Sequence, residues 1–181
     1  RIDLELIKLA EEKGFEYVFI PEYYFSRDTV SRTAAYALNT KSMKLISMFN
    51  PYTRNPALIA MSLASLNELA EGRLIACLGL APKIWLEKIG LEQESPAWTL
   101  IESLSLIKRM LSGEEVNSKG KVFQFNKVRL EFKAEPVKVF LAVIGWRMLK
   151  LAGRIGDGVV LSACMPPEYV KKAVKHIANS L

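Results

Sequence analysis

The chain has 181 residues, 50% of them hydrophobic and 24% charged, with 10 Gly and 8 Pro; this excludes a disordered, collagenous or low-complexity chain and suits one domain with a real core. The two cysteines, Cys77 and Cys164, exclude a disulfide framework and a CxxC site and fit a reducing, cytoplasmic setting, while the single His176 excludes a multi-histidine metal centre, so no metal is expected. A net charge of +6 permits an anionic partner without naming one; no aromatic-basic interleave points to nucleic acid, and no run of ~20 apolar residues points to a membrane span.

Asp3 predicts a helix over residues 4–13 that Gly14 ends, with Leu6 and Ala10, or Leu4 and Ile7, sharing a face. Phe15 to Ile20 reads as a strand buried on both faces, and Asp28 to Asn39 as a weakly amphipathic helix. Lys44 to Phe49 is a second buried strand, running into the loop NPYTRNP. Asn55 then caps a helix with Pro56 at its first position, ending at Gly72; Ala57, Ala60, Met61, Ala64 and the Leu58 and Leu66 flank are its expected core side. Arg73 to Gly79 is a third strand. Ser95 and Pro96 open a helix that Gly113 stops. Period-two alternation over 120–132, with Asn126-Lys127 between, predicts a small hairpin with one wet face, an insertion spanning about 114–132. Val137 to Val143 and Gly158 to Ser162 are further strands, separated by a helix over 148–155 and followed by one over 168–179. The strands start near residues 15, 44, 73, 137 and 158, mostly one βα repeat apart, which predicts an α/β fold with a parallel sheet and outer helices. The chain opens at Arg1 in a helix-like run rather than at Met, which reads as a segment of a larger protein.

Ligands of parallel βα folds bind where the strands exit. Here those places are Pro21 to Tyr24, Ser47 to Asn50, Gly79 to Pro82, Ala142 to Trp146 and Leu161 to Ala163. Glu22 is their one carboxylate, and no paired carboxylates or Ser/His pair occur among them. An apolar, small-residue mouth suits a flat aromatic cofactor that brings its own chemistry. The plainer reading makes Glu22 a solvated loop carboxylate, Tyr23 and Tyr24 rim aromatics, Cys77 a core thiol, His176 a surface residue and Lys171, Lys172 and Lys175 the wet face of the last helix.

Three blocks carry a resemblance: EEKGFEYVFIPE (Glu11 to Glu22), NPYTRNPALIAMSLASLNELAEGRLIACLGLA (Asn50 to Ala81) and FLAVIGWRMLKLAGRIGDGVVL (Phe140 to Leu161). They resemble the bacterial luciferase-like family of flavin- and deazaflavin-dependent oxidoreductases, most nearly the branch containing methylenetetrahydromethanopterin reductase. The resemblance implies a TIM barrel, here a partial (β/α)8 barrel of about strands two to six with the hairpin inserted, since a full one takes about 250 residues. It implies FMN or a deazaflavin (coenzyme F420), a small-molecule substrate and a homo-oligomer. Carried over by position, Glu22 and Tyr23 stand near the reacting ring, where the family often has Asp and His. Ser47 and Met48 fall on a bulged strand where members hold a non-prolyl cis peptide, with Asn50 just beyond. Gly79, Leu80 and Ala81 line the next exit, Ala142, Val143, Ile144 and Gly145 touch the cofactor tail and phosphate, and Leu161 and Ser162 follow. Pro82 and Trp146 depart from common family residues. The competing reading is a non-catalytic cofactor-binding or interaction protein, whose open sheet edges pair between chains.

Overall fold

A computed structural model describes residues 3–179. Helix α1 (Leu4–Glu12) starts at Asp3, whose side chain accepts from Leu6 N, and ends in a Schellman turn: Phe15 N donates to Ala10 O and Gly14 N to Glu11 O, with Gly14 at φ 82. That turn uses Phe15, so strand β1 is shorter than expected (Tyr17–Ile20). Then follow α2 (Thr29–Asn39), β2 (Lys44–Phe49), α3 (Pro56–Leu69) and β3 (Leu74–Gly79). The Asp28 carboxylate caps α2 through Ser31 N, and Asn55 caps α3 through Ala57 N. A short α4 (Lys83–Glu87), not foreseen, precedes α5 (Pro96–Leu111). Ser95 opens α5 by its carbonyl alone; it sits at φ 46, and its side chain makes no cap bond.

The hairpin pairs β4 (Val116–Lys119) with β5 (Gln124–Val128), and its turn lies at 120–123, not at Asn126-Lys127, which are inside β5. The cause is tertiary. The Glu102 carboxylate on α5 accepts from the N–H groups of Lys121, Val122 and Phe123, and a Cβ on Gly120 would lie 2.3 Å from that carboxylate. The chain closes with β6 (Lys138–Ala142), α6 (Trp146–Ile155), β7 (Gly158–Val160) and α7 (Pro167–Ala178).

Five strands form one parallel sheet in the order β1-β2-β3-β6-β7, a partial barrel with β1 and β7 at its edges. Alternation gives the sheet two unlike faces. Ile20, Leu45, Phe49, Leu78, Val139 and Leu141 point at the helices and are fully buried. The other set runs Phe19, Ile46 and Ile75 in one row, Met48, Cys77, Phe140 and Gly158 in the next, then Gly79, Ala142 and Val160. This is the concave, barrel-inner face, and Phe19 and Tyr17 at its edge stay 41% and 47% exposed.

Helix α3 presents Ile59, Ala60, Leu63, Ala64 and Leu66 to the core, whereas Leu58 and Met61, expected on that side, are largely exposed. The helix is apolar nearly all round, so periodicity did not choose its face. The single histidine is not a bare surface residue: His176 stacks on Trp146 at 4.9 Å, with Tyr169 5.0 Å away on the same ring. Cys77 is fully buried, as expected, and burial pushes its thiol up to about 12.

Candidate active site

The carboxyl ends of the strands open into a slot of about 920 Å³. Its floor is the concave face: Phe19 of β1, Ile46 and Met48 of β2, Ala142 of β6 and Val160 of β7. One wall comes from the loop after β3 (Leu80, Ala81, Pro82, Gln93) and the first turns of α5. The opposite wall is Val143, Ile144, Gly145 and Met148, closed by Leu161, Ser162 and Ala163 beyond β7. Among the described residues of the lining, only Gln93 and Ser162 carry polar side chains. The Gln93 amide is already committed, donating to Ala81 O at 2.9 Å, which pins the far end of the α4 loop to its start. Among the described residues, the lining holds no ionisable side chain and no cluster of metal-ligating groups occurs.

Nine of the fourteen residues expected at the site therefore line one slot: Met48, Leu80, Ala81, Ala142, Val143, Ile144, Gly145, Leu161 and Ser162. Five do not. Gly79 lies behind the Met48 side chain. Ser47 faces the helices, its hydroxyl 2.8 Å from that of Thr33 and 3.3 Å from that of Thr29. The register of β2 with β3 is unbroken through Ser47 and Met48, paired with Ala76 and Cys77, and no peptide bond among the described residues is cis. This corrects the expected bulge and cis linkage: a regular parallel ladder takes trans peptides throughout.

Glu22, Tyr23 and Asn50 form a separate polar corner at the exits of β1 and β2. Asn50 is 1% exposed. Its backbone N–H donates to Glu22 Oε2 at 2.8 Å, its side-chain amide donates to the Tyr24 hydroxyl, and its Oδ1 accepts from Tyr52 N. Burial pushes the Glu22 carboxyl above its ordinary range; the Asn50 N–H and the Arg54 charge offset this only in part, and Asp28 adds to it. Burial likewise raises the Tyr24 phenol. Tyr23 turns outward, 56% exposed, and meets Trp85 of α4 edge-on at 4.7 Å. The tyrosine held by Asn50 is its neighbour Tyr24, which also meets Trp85 edge-on at 5.8 Å.

Sequence reading missed Phe19 and Ile46, which counting back by two along the strands toward the exits would have found. It also missed Gln93, which lies in a loop with no periodic signal.

The sequence profile of the luciferase-like monooxygenase family matches residues 3–180. The chain belongs to this family. A 5,10-methylenetetrahydromethanopterin reductase of Methanolobus tindarius is 40% identical over 172 residues, covering 94% of this chain and 52% of the relative. The solved structure of the coenzyme F420 dependent tetrahydromethanopterin reductase from Methanopyrus kandleri superposes with a TM-score of 0.89 at 29% identity, covering 98% of this chain and 56% of that one. A monooxygenase from Streptomyces bottropensis gives 0.88 at 25%, covering 98% and 58%. The chain spans about half the length of these luciferase-like relatives. No helix among the described residues is long and apolar enough to cross a membrane.

Proposed function

We propose that this luciferase-like chain carries the ring-binding floor of an oxidoreductase, holding the planar ring of FMN or of the deazaflavin coenzyme F420 across the strand exits. One observation carries the reading: five parallel strands of a luciferase-like chain end in a single slot of about 920 Å³ lined almost wholly by apolar side chains. The slot fits a cofactor-sized ligand, which is typically held by an apolar lining with few polar groups. Relatives named for F420-dependent reduction and for monooxygenation support either ring.

When bound, such a ring supplies hydride or electron transfer. The chain's own residues shape and dry its surroundings. Met48, Ala142 and Val160 of the floor and the Leu80–Ala81 and Val143–Gly145 segments of the walls would hold it. Ser162, the polar side chain at the β7 exit, would orient its polar edge. Glu22 is half-buried with Oε2 held by Asn50 N, and burial raises its carboxyl above the ordinary range, as suits a group that trades protons with a substrate. Tyr23 stands beside it at the rim as a hydrogen-bond donor to the reacting centre. A small-molecule substrate, and a homo-oligomer that covers the edges of the sheet, complete the reading.

The test is a spectral titration of the chain with FMN and with coenzyme F420 side by side. Saturable binding of one of them, lost on filling the slot by Ala142→Trp, is the expected result. Binding of neither by the folded chain would sink the reading.

A further inference from the structure

Gly79 ends β3 and belongs to its slot-facing set, paired with Ala142 of β6. Its φ is not positive, so conformational freedom does not explain a glycine there. A glycine within a regular strand weakens it and marks a close approach by another group. That group is Met48. A Cβ built on Gly79 would lie 2.3 Å from Met48 Cε, 3.8 Å from Met48 Sδ and 3.1 Å from Ala142 Cβ. Met48 pairs with Cys77, so its side chain runs forward along the sheet and lays its tip in the space a side chain at 79 would fill.

We propose that Gly79 is a positioning residue: it is the socket that seats the tip of Met48, and the seated Met48 sets the depth of the slot between β2 and β6. The inference rests on the ring-binding reading above. A methyl at 79 must displace the Met48 tip, since it would lie 2.3 Å from Met48 Cε with Ala142 Cβ only 3.1 Å away on its other side, and the slot that Met48 and Ala142 both line is open to receive that tip. The displaced atom is the far end of an unbranched, adaptable side chain, so the fold absorbs the change while the ligand loses room. A flat ring tolerates no such rise in the floor beneath it.

The experiment is a double-mutant cycle on the full chain with Gly79→Ala, Met48→Ala and the pair, titrated with FMN and with coenzyme F420. Gly79→Ala weakens whichever ring binds by about tenfold, the scale of overpacking by one methyl. In the Met48→Ala background the same change costs less than about twofold, since the clash has gone. Without ligand, the ε-methyl resonance of Met48, one of six methionines and assigned by its loss in Met48→Ala, moves in Gly79→Ala, while the melting temperature shifts by less than about 4 °C. Equal losses in both backgrounds, no loss, or an unmoved Met48 methyl overturns the socket. If Gly79→Ala alone fails to fold, recovery of folding in the double variant supports the socket and an equally unfolded double variant overturns it. A wild-type chain that binds neither ring brings down the ring reading and this inference together, whereas a binding chain with uncoupled variants brings down this inference alone.

Discussion

At the amino end of β2, the Glu11 carboxylate accepts hydrogen bonds from the N–H groups of Lys41, Ser42 and Met43 and from the Ser42 hydroxyl. At the carboxyl end of the same strand, Glu22 accepts one, from Asn50 N. Desolvation pushes both carboxyls up, but the combined donors around Glu11 outweigh it and hold that group down at about 2, while Glu22 stays raised. One residue type thus fastens the fold at one end of the sheet and is held under tension at the other. The division is the one expected of a βα barrel, whose amino-terminal face carries stability and whose carboxyl-terminal face carries the ligand.

The largest effect should come from removing the fastening. Glu11→Ala strands three backbone donors, of which Met43 N belongs to a buried residue, and is expected to cost about 2–3 kcal/mol at neutral pH by urea denaturation. Glu11 has a folded pKa below its unfolded one, so its contribution is complete above 4.5 and drains away as pH falls toward 2. The acid limb of the stability profile should therefore flatten in the variant. An unchanged acid limb would show that Glu11 is not the fastening group.

Glu22→Gln should do the opposite, by a smaller amount. A raised carboxyl contributes stability that is complete below its unfolded value and is lost as pH rises through the folded one, so ionised Glu22 is a burden at pH 7. The variant should gain stability at pH 7, gain none at pH 4, and keep the Asn50 bond through the Gln carbonyl. A lower urea midpoint at pH 7 would place Glu22 among the fastenings instead. Gain of stability by removing a charge is the mark of a residue kept for something other than folding.

Smaller again is the contrast along β2 itself, where neighbours point to opposite faces. Ser47→Ala removes the hydroxyl shared with Thr29 and Thr33 and should cost about 1 kcal/mol in the same urea experiment. A neutral result would mean the two threonines satisfy each other. The cysteines offer the least costly check, with no stability change expected: exposed Cys164 should take up iodoacetamide in the native chain, and Cys77, buried in β3, only after unfolding. Modification of both at one rate would mean the sheet is open.

Much of this was legible beforehand because it depends on local chemistry. The caps at Asp3 and Asn55 and the strand Lys44–Phe49 follow from residue types a few positions apart. The exit segments were readable as well, since a parallel strand bounded by a helix has only one end at which small residues can serve a ligand. The hairpin turn was not, because Glu102, on another helix, draws Lys121, Val122 and Phe123 around itself. Nor was the difference between exposed Tyr23 and Asn50-held Tyr24: adjacent residues in a loop carry no period, and Asn50, the partner that separates them, is distant in sequence.

Composition, breakers and the spacing of apolar runs determined by themselves that this is a parallel α/β chain with apolar strand exits, since those signals act over a few residues at a time. Tertiary structure decided which side of α3 is buried, that Ser47 packs rather than lines the slot, that Gln93 joins it, and that the Glu22 carboxyl is pushed up while that of Glu11 is held down. Burial, donor count and the space left by a missing Cβ depend on what the folded chain brings alongside from elsewhere, and no window along the sequence contains that.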